Sequence, residues 1–334
     1  MPDSDSAGAG DRPSQVHITY VAGWGRSGST LLARMLATRP EAVFVGESRD
    51  LWQRGGIENR WCSCGQEFYD CPFWTAVGQQ AFGGWDTVDF ERMMRLRAVT
   101  DKPWSFFLTA YPTVSRRYRR LVEEYVSSLE RLFTAFHVVS GASTVVDSSK
   151  MPSFAMLLRQ VPRCDLRVVH LVRDSRGIAH SWDKKRLRLD RPGSTAEMLR
   201  YRPTASAFRY DIYNVEAQLL AHYSDTYVRL RYEDLMADPL NQLRRVEQRL
   251  GSPRHENAFA FLSEEGEGYA ARLATHHAVA ANPSRHEQGA IVLLPDQDWR
   301  SRMGRPTKLL VTGITAPILH NYGYRLSSSR IRST

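Results

Sequence analysis

Short apolar runs alternate with amphipathic stretches along the chain, and together they predict an α/β architecture. Val16, Ile18, Thr19, Tyr20 and Val21 form the first run, β-branched and aromatic, which reads as a buried strand. After a glycine-rich turn over 23–30, Leu31, Leu32, Met35 and Leu36 recur at helical spacing until Pro40 closes the helix. Residues 43–46, 143–147, 166–172 and 226–231 read as further strands. The run over 166–172 is apolar enough for a central parallel strand. Residues 85–136 show a helical pattern and no strand signal. The clearest helix is 118–136, with Leu121, Tyr125, Leu129, Leu132, Phe133 and Phe136 on one face. Long helices are also expected over 205–223 and 307–322. Past Gly251 the periodicity weakens, and there is no internal repeat.

The chemistry gathers where strands end. A strand, a glycine turn and a helix N-terminus make an anion site, because converging N–H groups and the helix dipole favour negative charge. The turn nearly spells the nucleoside-triphosphate loop G-x-x-x-x-G-K-[ST] from Gly23 to Thr30, but Ser29 stands where the lysine belongs. That argues against a triphosphate. Arg26 supplies a planar donor fork suited to a doubly charged oxyanion instead. Glu47 follows the next strand, and strand C-termini line the crevice of an open parallel sheet, so a carboxylate base should face the loop. Lys150, after the strand over 143–147, should reach the same crevice. Asp147 fits loosely the magnesium-holding acid of a nucleotide hydrolase. Arg173 closes the next strand and Ser181 lies about two turns into the following helix, so both can grip one oxyanion. Asp174 reads as that helix's N-cap. Arg176 either joins the anion site or faces solvent, and His180 reads as a packed neighbour.

The loop GRSGSTLL with Glu47 behind it resembles the sulfotransferases that use 3′-phosphoadenosine-5′-phosphosulfate (PAPS). Its pattern is closest to the carbohydrate and tyrosylprotein branches. The cytosolic aryl branch differs, with a lysine in the loop and a histidine base. The resemblance implies that Arg26, Ser27, Gly28, Ser29 and Thr30 hold the 5′-phosphosulfate. It implies that Glu47 is the catalytic base, that Lys150 supports the leaving phosphate, and that Arg173 and Ser181 hold the 3′-phosphate. The string RYEDLMADP is a further hallmark, in which Tyr232 touches the nucleotide while Glu233 and Asp234 cap a helix or brace loops. The stretch over 280–285, with Trp299 downstream, resembles the loop that closes over PAPS, and Arg285 would be its anion contact. These motifs run in the family's order from Val16 to Trp299. The implied architecture is a P-loop-like three-layer α/β/α domain over residues 15–325. It has a central, mostly parallel sheet and a cysteine-containing insert and helical cap over 52–136. The implied reaction transfers a sulfuryl group from PAPS to a hydroxyl of a glycan or small metabolite and releases 3′,5′-ADP, with no metal. Two other readings stand beside it: a nucleoside-triphosphate kinase or hydrolase, and a catalytically silent family member that binds an anion or a partner. Retention of both Glu47 and Lys150 argues against the silent member.

Composition changes this picture little. A 334-residue chain with 42% hydrophobic residues suffices for one large domain. The net charge of +9 suits an anionic ligand. The basic residues are scattered, with no recognised module, so nucleic acid is not an expected partner. Arg116, Arg117, Arg119 and Arg120 read as a solvated helix face. No run reaches the roughly eighteen apolar residues of a spanning helix. Residues 1–14 are small and acidic without a hydrophobic region, so they read as a disordered tail and not a secretion signal. A cytoplasmic bacterial enzyme is expected, ending in a basic tail over 326–334. No signal for an oligomeric state is present. Cys62, Cys64 and Cys71 offer three zinc ligands, but the fourth is missing locally and the usual two-residue spacing is not met. A structural set of thiols, reduced or joined under oxidation, is the simpler reading.

Overall fold

The computed structural model describes residues 16–111, 115–185, 197–266, 268–287 and 289–326. The expected acidic tail, and Arg330 and Arg332 of the basic tail, lie outside these residues. β1 (Val16–Ala22) passes through the glycine turn into α1 (Ser29–Leu36), and β2 (Ala42–Gly46) follows. A 3-10 turn at Ser48–Asp50 and a π-helical turn at Trp52–Ile57 lead into α2 (Pro72–Phe82), α3 (Phe90–Thr100), α4 (Ser105–Ala110) and the long α5 (Arg116–Ser140). Next come β3 (Thr144–Lys150), α6 (Pro152–Leu158), β4 (Cys164–Val172), α7 (Ser175–Asp183), α8 (Pro203–Leu219) and β5 (Thr226–Arg231). The chain ends with α9 (Tyr232–Ala237), α10 (Pro239–Leu250), β6 (Leu262–Glu265), β7 (Gly268–Leu273), β8 (Gly289–Leu293), α11 (Trp299–Arg302) and α12 (Arg305–Asn321).

The first five strands form one parallel sheet in the order β2-β3-β1-β4-β5. Strand alternation splits their side chains between two cores. Ile18, Tyr20, Val145, Leu166 and Val168 pack on one face with Leu129, Leu132 and Phe133 of α5 and Phe154 of α6. Val21, Val146, Val169, Leu171 and Leu230 pack on the other with Leu32 and Met35 of α1 and Leu243 and Val246 of α10. Helices therefore cover both faces, and the three-layer α/β fold is as expected. The helical segment between Trp52 and Phe136 is also present, and its longest helix, α5, lies on the sheet itself. Its first turn leaves Arg116, Arg117, Arg119 and Arg120 exposed, the solvated face that the sequence suggests.

Helix starts follow side-chain chemistry. Asp174 accepts from the Arg176 amide at 2.9 Å, so the N-cap reading of α7 holds. Asp89 and Ser115 cap α3 and α5 in the same way. The antiparallel sheet β6-β7-β8 has no counterpart in the sequence reading. Its strands are short, and three of the four β6 residues are exposed, so no clean alternation marks them. Among the described residues, no helix is long and apolar enough to cross a membrane.

Candidate active site

Two strand irregularities aim the chemistry into one cleft. Between Phe44↔Val146 and Gly46↔Asp147, β2 carries an extra residue. Between Tyr20↔Asp147 and Ala22↔Lys150, the extra residue is in β3. Such bulges bend a strand and re-aim its side chains. They place Glu47 and Lys150 together, with Lys150 Nζ 2.6 Å from Glu47 Oε1. Gly46 permits this, since its φ is 83° and a Cβ there would lie 2.5 Å from the Ala280 carbonyl oxygen. That carbonyl accepts from the Glu47 amide at 2.7 Å, fixing the Glu47 backbone.

The cleft is lined by Gly25, Arg26, Gly28, Ser29 and Thr30 of the loop and by Glu47, Arg54 and Lys150 opposite. Three cations against one carboxylate suit an anion. Gly28 is the N-cap of α1, its φ of 94° is one that no other residue adopts easily, and Tyr232 would lie 2.8 Å from a Cβ there. The first turn of α1 has no capping side chain and no acidic residue, so its N–H groups and dipole remain available to a ligand. Ser27 Oγ is buried without a hydrogen-bond partner among the described residues. Arg26 and Lys150 both sit at positive φ, 71° and 70°. Left-handed backbone at a non-glycine residue is strained and clusters where function demands it. Arg26 lies over the Trp182 ring at 4.8 Å, and Trp182 Nε1 donates to the Gly25 carbonyl at 3.1 Å.

Arg173 and Tyr232 stand beside the loop, and with Ser181 they lie outside the cleft lining. The Arg173 guanidinium donates to the Arg26 carbonyl at 3.0 Å and lies 4.5 Å above the Tyr232 ring. A Cβ on Gly177 would come 3.4 Å from Arg173 Nε, and Ser181 is one turn further along the same face of α7. Arg173 also binds the Asp296 carboxylate at 3.1 Å. Burial opposes ionisation of Asp296, yet the Arg173 charge and hydrogen bond hold its carboxyl below the ordinary range. Arg176 does not face solvent. It is buried and pairs with Asp174 at 2.9 and 2.7 Å. Glu233 acts as a brace, accepting from the Asp174 amide and the Tyr324 hydroxyl.

The late loop reaches the cleft through Ala281, Asn282 and Ser284. Its anchor is Arg34, which sequence reasoning missed because arginine on a helix usually reads as surface. Arg34 is 1% exposed and donates to the Ser284 and Glu287 carbonyls, both at 2.7 Å. Arg285 is buried and donates to Ala281 O at 3.0 Å. His276 and His277, just upstream of this loop, look in the sequence like exposed loop residues, and neither is exposed. His276 is buried against the edge of Phe44, and burial, with the Arg34 charge, pushes its pKa down to about 4. His277 meets the cysteines of the insert. Asp147 is wholly buried, which pushes its pKa up to about 6. Its oxygens accept from Ser48 Oγ and the Ser149 amide, and it does not line the cleft. The magnesium-holding role considered for it finds no support. Also missed was an aromatic cluster in which Trp24 stacks on Tyr213 at 4.8 Å and contacts Trp182 and Tyr201. In the loop pattern Trp24 fills one of the unspecified positions, so nothing in the motif marks it.

A parallel sheet whose glycine loop faces a paired carboxylate and cation makes an α/β site suited to an anion. Residues 19–256 match the sulfotransferase family, and the chain belongs to that family. Among solved structures it is similar to the sulfotransferase domain from the Synechococcus PCC 7002 olefin synthase, at 18% identity over 95% of this chain and 98% of that one, with a TM-score of 0.47. A sulfotransferase domain from the curacin biosynthetic pathway gives 14% identity over 94% and 100%, with a TM-score of 0.49. Sulfotransferase STF9 from Mycobacterium avium gives 13% over 95% and 79%, with a TM-score of 0.45. Comparison with curated proteins returned no match. The family match does not single out the carbohydrate or tyrosylprotein branch, and the late loop with Arg285 and Trp299 lies beyond the matched residues.

Proposed function

We propose that the chain transfers a sulfuryl group from PAPS to the hydroxyl of a glycan or small metabolite. The observation that carries this reading is the Glu47–Lys150 pair, 2.6 Å apart, facing a glycine loop that lacks the triphosphate lysine. The reaction is an in-line displacement at sulfur, in which protein positions the groups and neutralises charge. Loop amides with Arg26, Ser27, Gly28, Ser29 and Thr30 hold the phosphosulfate. Arg173 and Ser181 take the 3′-phosphate, with Tyr232 beside the nucleotide and Arg285 as the anion contact of the closing loop. The acceptor proton passes to Glu47 as the acceptor oxygen bonds to sulfur. The bond from sulfur to the 5′-phosphate oxygen breaks, and the electron pair leaves on 3′,5′-ADP. Lys150 exchanges its contact with Glu47 for the leaving oxygen, which frees the base and stabilises the leaving charge together. Arg26 and Lys150 supply the positive charge that this step needs. When the protein is incubated with PAPS and a panel of hydroxyl acceptors, 3′,5′-ADP is expected to form in step with a sulfated product. Consumption of ATP with magnesium, with PAPS left intact, would contradict the reading.

A further inference from the structure

The insert and the late loop meet at a cluster that the transfer reaction does not use. Cys62, Cys64, Cys71 and His277 bring their ligand atoms within 4.8 Å of one another. Cys64 Sγ and Cys62 Sγ lie 3.6 and 3.7 Å from Cys71 Sγ. His277 Nδ1 lies 3.3 Å from Cys71 Sγ and 3.7 Å from Cys62 Sγ. We propose that these four side chains form a structural zinc site that pins the late loop to the cysteine insert.

The distances are those of a zinc tetrahedron. Zn–S bonds of about 2.3 Å and Zn–N bonds of about 2.0 Å require S···S edges of roughly 3.8 Å and S···N edges of roughly 3.5 Å. Disulfide sulfurs would lie about 2.05 Å apart, and all four cysteines of the chain are free thiols. The missing fourth ligand is therefore not local. It comes from a histidine more than two hundred residues away in sequence, beyond the reach of spacing rules.

The backbone around the sulfurs is arranged for thiolates. A tight turn from Cys62 to Gly65, with Gly65 at φ 92°, sits between the bridged Trp61 and Glu67. Cys71 also stands at the N-terminus of α2, where the dipole favours negative charge. The His277 ring stacks on Phe73 at 4.8 Å, which fixes its orientation. Three thiolates and one imidazole select zinc among the common divalent ions, and four protein ligands leave no open position, so the site is structural. The thiol protons leave to solvent as the metal binds.

The consequence reaches the cleft. One residue beyond His277, the Ala278 carbonyl accepts from Ser63 N at 3.1 Å and from Ser63 Oγ at 2.9 Å. Two residues further, Ala280 O holds the Glu47 amide. Metal analysis of the full-length protein tests the proposal independently of its activity. The parent, purified without chelator, should carry one zinc per chain. It should release that zinc when its thiols are blocked with a mercurial, and it should give the thiolate charge-transfer bands of a tetrahedral ion when loaded with cobalt(II). Cys64→Ser and His277→Ala should lose the metal. A parent that purifies without zinc and gives no tetrahedral cobalt spectrum overturns the proposal. So does full zinc retention in both variants. Should either variant fail to fold, the parent's zinc content and cobalt spectrum still decide.

Discussion

Glu47→Gln is expected to bind 3′,5′-ADP at least as well as the parent and to turn over about 100-fold more slowly, or worse, as for a lost general base. Glutamine keeps the shape of glutamate and the amide contact to Ala280 O, so the cleft wall stays in place. It has no proton-accepting carboxylate, and the attacking hydroxyl keeps its proton as the bond to sulfur forms. Lys150 also loses its anionic partner and meets the donor unpaired. The loss should fall on kcat at saturating PAPS and acceptor. Unchanged turnover would remove Glu47 from the mechanism, and no described histidine lines the cleft to take its place.

The second large effect is expected at Arg173. Arg173→Ala should weaken 3′,5′-ADP binding by about 10- to 100-fold, because a charge-assisted hydrogen bond contributes roughly 1.5–3 kcal/mol. Arg173 occupies two roles at once. It donates to the loop at Arg26 O and it holds Asp296, which a 3′-phosphate must displace. Asp296→Asn is therefore expected to tighten binding in the same titration, since the competing negative charge is gone. If neither substitution changes the affinity, the 3′-phosphate lies elsewhere.

What the sequence revealed, and what it hid, follows from the range of the interactions. The five parallel strands were legible because each carries a local apolar or alternating pattern, and the strand ends carrying Glu47, Lys150 and Arg173 came with them. The pairing of Glu47 with Lys150 was expected only as a shared crevice. The bulges that bring them to 2.6 Å leave no mark in the residue pattern. Asp174 was recognisable as a cap because capping is local, whereas the bidentate hold of Asp174 on Arg176 was not. Arg34, His276 and His277 were misjudged or missed for a common reason. Their burial depends on a loop some two hundred residues or more away from their partners. The antiparallel sheet past Gly251 escaped because half-exposed short strands have little periodicity to read.

The central claim is that the glycine loop and Arg173 together hold the adenosine 3′,5′-bisphosphate of a sulfuryl donor. Calorimetric titration of the purified protein with 3′,5′-ADP, run beside ATP with magnesium, tests it most directly. Saturable binding of 3′,5′-ADP without magnesium, and little or none of ATP, is the predicted result. Tight magnesium-dependent binding of ATP, with no response to 3′,5′-ADP, would contradict the account.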